Sequence, residues 1–256
     1  MKKLNAITRL VSPAIDRCEL TYLERIPIDV KLAIAQHHEY EETLKSLGVE
    51  VIRLPEEPDL PDSVFVEDAA IVLDECAIII RPGADSRLPE TESVTRALVP
   101  YRTLYPIQPP GRLDGGDVLV VGKRIWVGVA TRSNQSAIDQ MQAFLEPYDY
   151  AVRGVIVKGC LHLKSAVTRV AENTLLINPA WVDQANFPGM KFIEVDLAEP
   201  YAANALMVGE AILYQPAYLK TGLRLEANGI HPVLVDQSEL AKAEGALTCC
   251  SLIFKK

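Results

Sequence analysis

Short apolar runs, broken by two-residue polar turns, recur along the whole chain. Ala69–Leu73, the pair Asp74-Glu75 and Cys76–Ile80 read as a β-hairpin. Asp117–Val121, Gly122-Lys123 and Arg124–Gly128 repeat it. A third hairpin runs from Leu163 to Asn178 with its turn at Glu172-Asn173, and a fourth from Ala205 to Tyr214 with its turn at Gly209-Glu210. Each is followed by a stretch with helical spacing and then a single strand. These pairs are Glu90–Leu98 with Tyr101–Pro106, Ser133–Leu145 with Ala151–Val157, a shorter helix with Phe192–Val195, and Tyr218–Ala227 with Pro232–Val235. The last apolar strand, Leu247–Phe254, has no partner downstream. Its partner is expected in Ala6–Val11, followed by a helix over Lys31–Leu47 and a strand over Val49–Leu54.

The units begin near 69, 117, 164, 205 and 247, spacings of 48, 47, 41 and 42 residues. A period of this length marks a propeller or solenoid. A blade is hairpin, helix, strand, and pairing of the C-terminal strand with the N-terminal segment closes the array and removes its exposed edges. The predicted fold is a five-bladed α/β propeller of ββαβ-type repeats. Without a composition break, residues 1–256 are read as one domain.

Composition narrows the function. With 26 Lys+Arg against 34 Asp+Glu the net charge is −8, which lacks the basic footprint of a nucleic-acid binder. No apolar run approaches the roughly 18 residues that span a bilayer, so no membrane partner is expected. Met1-Lys2-Lys3 is basic, but Thr8, Arg9 and Ser12 interrupt any leader-like apolar region. Five cysteines, Cys18, Cys76, Cys160, Cys249 and Cys250, are odd in number and form no CxxC pair. They are read as reduced thiols in a cytoplasm rather than a disulfide framework or structural zinc site.

Four segments carry candidate chemistry: Asp62–Asp68, Leu113-Asp114-Gly115-Gly116-Asp117, Leu161-His162-Leu163-Lys164-Ser165 and Thr248-Cys249-Cys250-Ser251. Singly, each also reads as a turn, a core histidine, a buried cysteine pair or an acidic loop. The period changes this, because Asp68, Asp114, His162 and Cys249 share one phase near the start of a blade's first strand. In a closed propeller that phase lies at the axis. A thiol, a histidine and carboxylates meeting there suit thiolate attack on a cationic electrophile. Strand alternation would put Cys249 and Cys250 on opposite faces.

Taken in order, Gln36-His37-His38-Glu39-Tyr40, Leu60–Asp68, Arg81–Arg87, Leu113–Asp117, Thr131–Gln135, Gly159–Ser165 and Leu247–Ser251 resemble the dimethylarginine dimethylaminohydrolases, within the guanidino-group-modifying enzymes. The resemblance implies the five-bladed propeller called the pentein fold. It implies hydrolysis of methylated arginines to citrulline and dimethylamine or methylamine through a covalent Cys-thiouronium intermediate. In it Cys249 is the nucleophile, His162 the general acid and base, and Asp114 the carboxylate that orients it. Asp68, supported by Glu67, would hold the guanidinium. Arg87 and Arg132 would clamp the α-carboxylate, Asp62 with the carbonyls near Leu20 and Ala243 would meet the α-ammonium, and Phe65 would pack on the aliphatic part. Residues Asp16–Arg25 would form a mobile lid. No metal or cofactor is required, although Cys249 and His162 together suit reversible, inhibitory Zn²⁺. His37 and His38 are expected as a capped or exposed helical pair. A homodimer is compatible with the resemblance. Arginine deiminase-type hydrolysis, which usually comes with an extra helical domain, and a non-catalytic methylarginine binder are the rival functions.

Overall fold

The computed structural model describes residues 3–256. Five three-stranded sheets are arranged as the blades of a propeller, and in each the middle strand pairs antiparallel with the inner strand and parallel with the outer one. In chain order the elements are β1 (Leu4–Arg9), α1 (Val30–Ser46), β2 (Glu50–Leu54), β3 (Ala70–Val72), β4 (Cys76–Ile79), α2 (Glu90–Leu98) and β5 (Thr103–Pro106). There follow β6 (Val118–Val121), β7 (Arg124–Val129), α3 (Gln135–Leu145), β8 (Ala151–Ile156), α4 (Leu163–Ala166), β9 (Val167–Ala171), β10 (Thr174–Ile177) and β11 (Lys191–Glu194). The chain ends with β12 (Leu206–Val208), β13 (Ala211–Tyr214), α5 (Leu219–Ala227), β14 (Val233–Leu234), α6 (Ser238–Ala241) and β15 (Leu252–Lys255).

Closure follows the expected route. β15 pairs antiparallel with β1, Leu4 opposite Lys255 and Ile7 opposite Leu252, and β1 pairs parallel with β2. The fifth blade is therefore a hairpin opened at its turn, with the two chain ends where the turn would be. Buried apolar clusters fill the spaces between neighbouring blades: Ile7, Val66, Ala77, Val94 and Phe254 meet in one, and Leu119, Trp126, Val167 and Phe187 in another. No helix among the described residues is long and apolar enough to cross a membrane.

Three local expectations change. No α-helix links β10 to β11; a single 3₁₀ turn, Gln184–Asn186, takes its place. Pro179 and Pro188 bracket the segment and disfavour helix around them, and Phe187 fills the space instead, buried against Trp126 with ring centroids 5.3 Å apart. The axial segments read as strand beginnings are helical turns: Val66–Ala69, Gly115–Asp117, Leu163–Ala166 and Leu247–Cys250 each precede the inner strand of a blade. Third, His37 is not exposed. It is buried under α1, 3.7 Å from Glu41, while His38 faces outward. Burial, only partly offset by Glu41, lowers the His37 pKa to about 4.

Candidate active site

The axial turns are stitched to one another in a ring. Gly116 N donates to Asp68 Oδ1 at 2.8 Å, and Leu163 N to Asp117 Oδ1 at 2.9 Å. Asn204 Nδ2 donates to Lys164 O and to Thr248 Oγ1, and Thr248 Oγ1 donates to Glu67 Oε2 at 3.0 Å, closing the circle. Residues 40 to 48 positions apart in sequence, and 181 apart at the closing bond, are thereby joined in space. The two glycines of Asp-Gly-Gly-Asp are required by crowding. A Cβ on Gly115 would lie 1.8 Å from the Glu67 carbonyl oxygen, and one on Gly116 would lie 2.4 Å from His162 Nδ1.

A cleft at the site end of the axis is walled by Cys249, His162, Asp114, Asp68, Arg87, Asp62, Phe65, Arg132 and Ala243. His162 Nε2 lies 3.1 Å from Asp114 Oδ2, and the other Asp114 oxygen accepts from Gly83 N at 2.7 Å. Burial opposes the charged form of His162. Asp68, the Asp114 hydrogen bond and Asp117 outweigh it and raise the imidazolium pKa to about 9. Burial likewise opposes the Asp68 carboxylate, but His162, Arg87 and the Gly116 amide hold its pKa down at about 2. Cys249 is 8% exposed. Burial first, then Glu67 and Asp68, push its thiol well above the usual range. These shifts favour a protonated Cys249 thiol beside a charged His162 and an ionised Asp68 at neutral pH.

Because Cys249 lies in a 3₁₀ turn, strand alternation does not separate it from Cys250. The roughly 120° step of such a turn does. Cys250 points into the core, where its thiol faces Gln237 Oε1 and Ala246 O, each at 3.6 Å.

The residues expected at the amino-acid end are differently occupied. Arg87 is a buried hub rather than a surface arginine. It donates to Asp68 Oδ2 at 2.8 Å, to both oxygens of Glu90, and to the carbonyls of Asp62 and Phe65 at 3.3 and 3.4 Å. Burial keeps the Glu90 carboxyl at about 7 despite Arg87. Arg132 is half-buried and donates to Thr21 Oγ1. Asp62 Oδ2 accepts from Glu19 N at 3.0 Å. Leu20 packs against the cluster containing Phe65 and Ala243 but is not part of the cleft wall. Glu67 also lies outside that wall. Its carboxylate pairs with Lys164 and faces a separate cavity of about 640 Å³, which extends to the hairpin-turn residues Asp74, Gly122 and Gly209 at the other end of the axis. With segment 16–25 in place the cleft encloses about 20 Å³. A single water needs roughly 10–15 Å³, so a larger ligand requires the wall to open, and Glu19 brings the 16–25 segment into that wall.

Several functional residues escape sequence pattern. Asp117 accepts from Leu163 N and from Ser133 Oγ, and Ser133 Oγ accepts from Asp114 N. It thus ties both members of the His162–Asp114 pair to one carboxylate. Glu90 anchors Arg87, and Glu244 grips the 21–23 backbone. Nothing in their spacing distinguishes Glu90 or Glu244 from surface acids; Asp117 shares its segment with Asp114, which was the only signal. One donor atom each from Asp68, Asp114 and His162 lie within 4.8 Å of one another, close enough to share a cation.

Residues 21–187 match the family model for eukaryotic N,N dimethylarginine dimethylhydrolase. The chain is 38% identical to the N(G),N(G)-dimethylarginine dimethylaminohydrolase of Streptomyces coelicolor, over 98% of this chain and 97% of the relative. It is 34% identical to that of Pseudomonas aeruginosa, over 88% and 90%. The solved Pseudomonas aeruginosa enzyme, a C249S mutant complexed with citrulline, superposes with a TM-score of 0.94 at 32% identity, covering 99% of this chain and all of that one.

Proposed function

Because the chain belongs to the dimethylarginine dimethylaminohydrolase family, we propose that it hydrolyses N-ω-methylated arginines to citrulline and the methylamine. The observation that supports this best is one cleft holding Cys249, the His162–Asp114 pair and the Asp68 carboxylate. A guanidinium is delocalised and permanently charged, so it reacts only when held in line and met by a strong nucleophile. Asp68 and Asp114 supply hydrogen-bond acceptors for its N–H groups.

As the cationic guanidinium docks, the Cys249 thiol gives its proton to solvent, and attack of the resulting thiolate on the guanidinium carbon forms a C–S bond and a neutral tetrahedral adduct. Imidazolium His162 gives its proton to the departing nitrogen, the C–N bond breaks, and dimethylamine leaves a thiouronium. His162, now neutral, takes a proton from water. The hydroxide adds, the C–S bond breaks, and the hydroxyl proton of the adduct passes to the departing sulfur, so that citrulline and the neutral Cys249 thiol are released. No step uses a redox partner. Arg132 and Asp62 stand where the amino-acid end would lie, with Arg87 behind them. Arg87 supports that end through Asp68 and the 62–65 turn, and a substrate carboxylate reaching it would replace the long bonds to the Asp62 and Phe65 carbonyls. The five cysteines are free and buried, which fits the reducing, cytoplasmic setting we infer.

Incubation with asymmetric dimethylarginine and, separately, with arginine tests this. Dimethylamine and citrulline from the first, with little ammonia from the second, is the expected result. Ammonia from arginine as the main product would replace it with deiminase activity, and binding without either product would mean a sequestering protein.

A further inference from the structure

We infer that Glu244 is a positioning residue that latches the 16–25 segment over the cleft and so sets the affinity for the amino-acid end of the substrate. It rests on the function proposed above only for the identity of that substrate.

Glu244 ends α6. Gly245 N donates to Leu240 O and Glu244 N to Ala241 O, the paired bonds of a helix that stops with one left-handed residue. Glu244 is that residue, at φ 57. Glycine is the usual occupant, because a side chain there is strained. The chain places glycine one position later, at Gly245, where a Cβ would lie 2.3 Å from the Phe65 ring. A glutamate in the strained position therefore calls for a compensating contact, and its carboxylate has one. Thr21 N donates to Oε2 at 3.0 Å, Leu23 N donates to Oε1 at 2.7 Å, and Tyr22 N donates to Oε1 as well. Three successive amides of the segment converge on one carboxylate, and charge-assisted hydrogen bonds of this kind are the strong ones.

The position matters for the ligand. The grip at 21–23 directly follows Leu20, and Glu244 directly follows Ala243, so one carboxylate sets the separation of the two carbonyls expected to meet an α-ammonium. It also holds Thr21, whose hydroxyl accepts from Arg132. Glu244, itself in the cleft wall, thus links the groups expected at both charges of an amino-acid head, with its carboxylate turned to the 21–23 amides. Tyr22 and Leu23, fixed by the same grip, help wall a side cavity of about 160 Å³ beyond Leu161 and Gly245.

The test compares wild type with Glu244→Gly, which suits the left-handed backbone and keeps the protein folded, and with Glu244→Gln, which keeps the shape and loses the charge. Two substrates are used: asymmetric dimethylarginine, and an N,N-dimethyl-N′-alkylguanidine with no amino-acid head. Glu244→Gly should raise KM for dimethylarginine roughly tenfold or more, with kcat within about threefold, and Glu244→Gln should fall between. Turnover of the headless guanidine should change much less. Equal losses on both substrates, or an unchanged KM, would overturn the latch. A second readout needs no substrate. Amide hydrogen exchange at Thr21, Tyr22 and Leu23 should accelerate at least tenfold in Glu244→Gly while exchange in β6 and β7 is unchanged; unchanged exchange at 21–23 also overturns it. If wild type releases no dimethylamine, the functional proposal fails, and the exchange result still decides the latch.

Discussion

Substrate-assisted ionisation of Cys249 follows from the charges around it. The thiol starts above its ordinary value of 9.0, raised by burial and by Glu67 and Asp68. At pH 7 fewer than about one molecule in a hundred then carries a thiolate. A guanidinium arriving about 4 Å from the sulfur, at an effective dielectric near 20, stabilises the thiolate by about 4 kcal/mol, or roughly three pK units. That is enough to move an elevated thiol toward neutrality at the moment its target is in place. The assay is a pH titration of thiolate ultraviolet absorbance, wild type minus Cys249→Ser. Without ligand, no Cys249-dependent signal should develop until well above pH 9. A saturating, unreactive cationic amidine with an amino-acid head should shift the midpoint down by about three units. A large Cys249-dependent thiolate signal at pH 7 in the ligand-free protein would refute the scheme and establish a standing thiolate–imidazolium pair.

Four further outcomes follow from the geometry. His162 is raised to about 9, so its acid form is present through neutral pH and kcat should fall as pH rises through about 9; Asp114→Asn should bring that fall down by one unit or more, and an unmoved alkaline limb would contradict the 3.1 Å contact. Arg132→Ala should raise KM by roughly 10- to 150-fold with a stable fold, whereas Arg87→Ala should lower stability by about 3–5 kcal/mol in denaturant titration, because it strands buried Asp68 and Glu90; a purely KM-type effect of Arg87→Ala would mean that the hub is not structural. Gly116→Ala should displace His162 and reduce kcat at least a hundredfold with little change in melting temperature, and near-normal activity would show that the ring is not held there. Zn²⁺ should inhibit reversibly through Cys249, His162 and the adjoining carboxylates and be removed by chelator; alkylation of Cys249 undiminished by Zn²⁺ would count against it.

The architecture was legible because each blade repeats the same hydrophobic grammar: two short apolar runs around a polar pair, then a helix with one buried stripe. The convergence of Asp68, Asp114, His162 and Cys249 was legible as a shared phase. Their local conformation was not. A single 3₁₀ or α turn leading into a strand shows the same apolar and polar order as a few more residues of strand, so Asp117, Leu163 and Leu247 read as strand. Arg87 read as a ligand-facing cation because its deciding partner, Glu90, sits in the first turn of an amphipathic helix, where acids are common for other reasons. Glu244 had no side-chain partner to reveal it, since its ligands are backbone amides. His37 and Glu41 have the i, i+4 spacing of an ordinary exposed pair, and only the packing of α1 shows that they are buried.

The turns also explain how one narrow axis supports two environments. Glu67 and Asp68 are adjacent, as are Thr248 and Cys249, yet the first of each pair lines the large cavity while the second lines the cleft. Glu67 with Lys164 and Thr248 forms a closed set of polar contacts beneath the nucleophile. Burial raises the Glu67 carboxyl against the pull of Lys164. The lysine is therefore what allows a carboxylate to be placed under a thiol that must later ionise. A negative charge left unpaired at that point would hold the Cys249 thiol protonated even after substrate arrived. Ring closure, through Thr248, and charge pairing, through Lys164, thus meet on one carboxylate, which lies outside the cleft wall where a substrate ligand would stand.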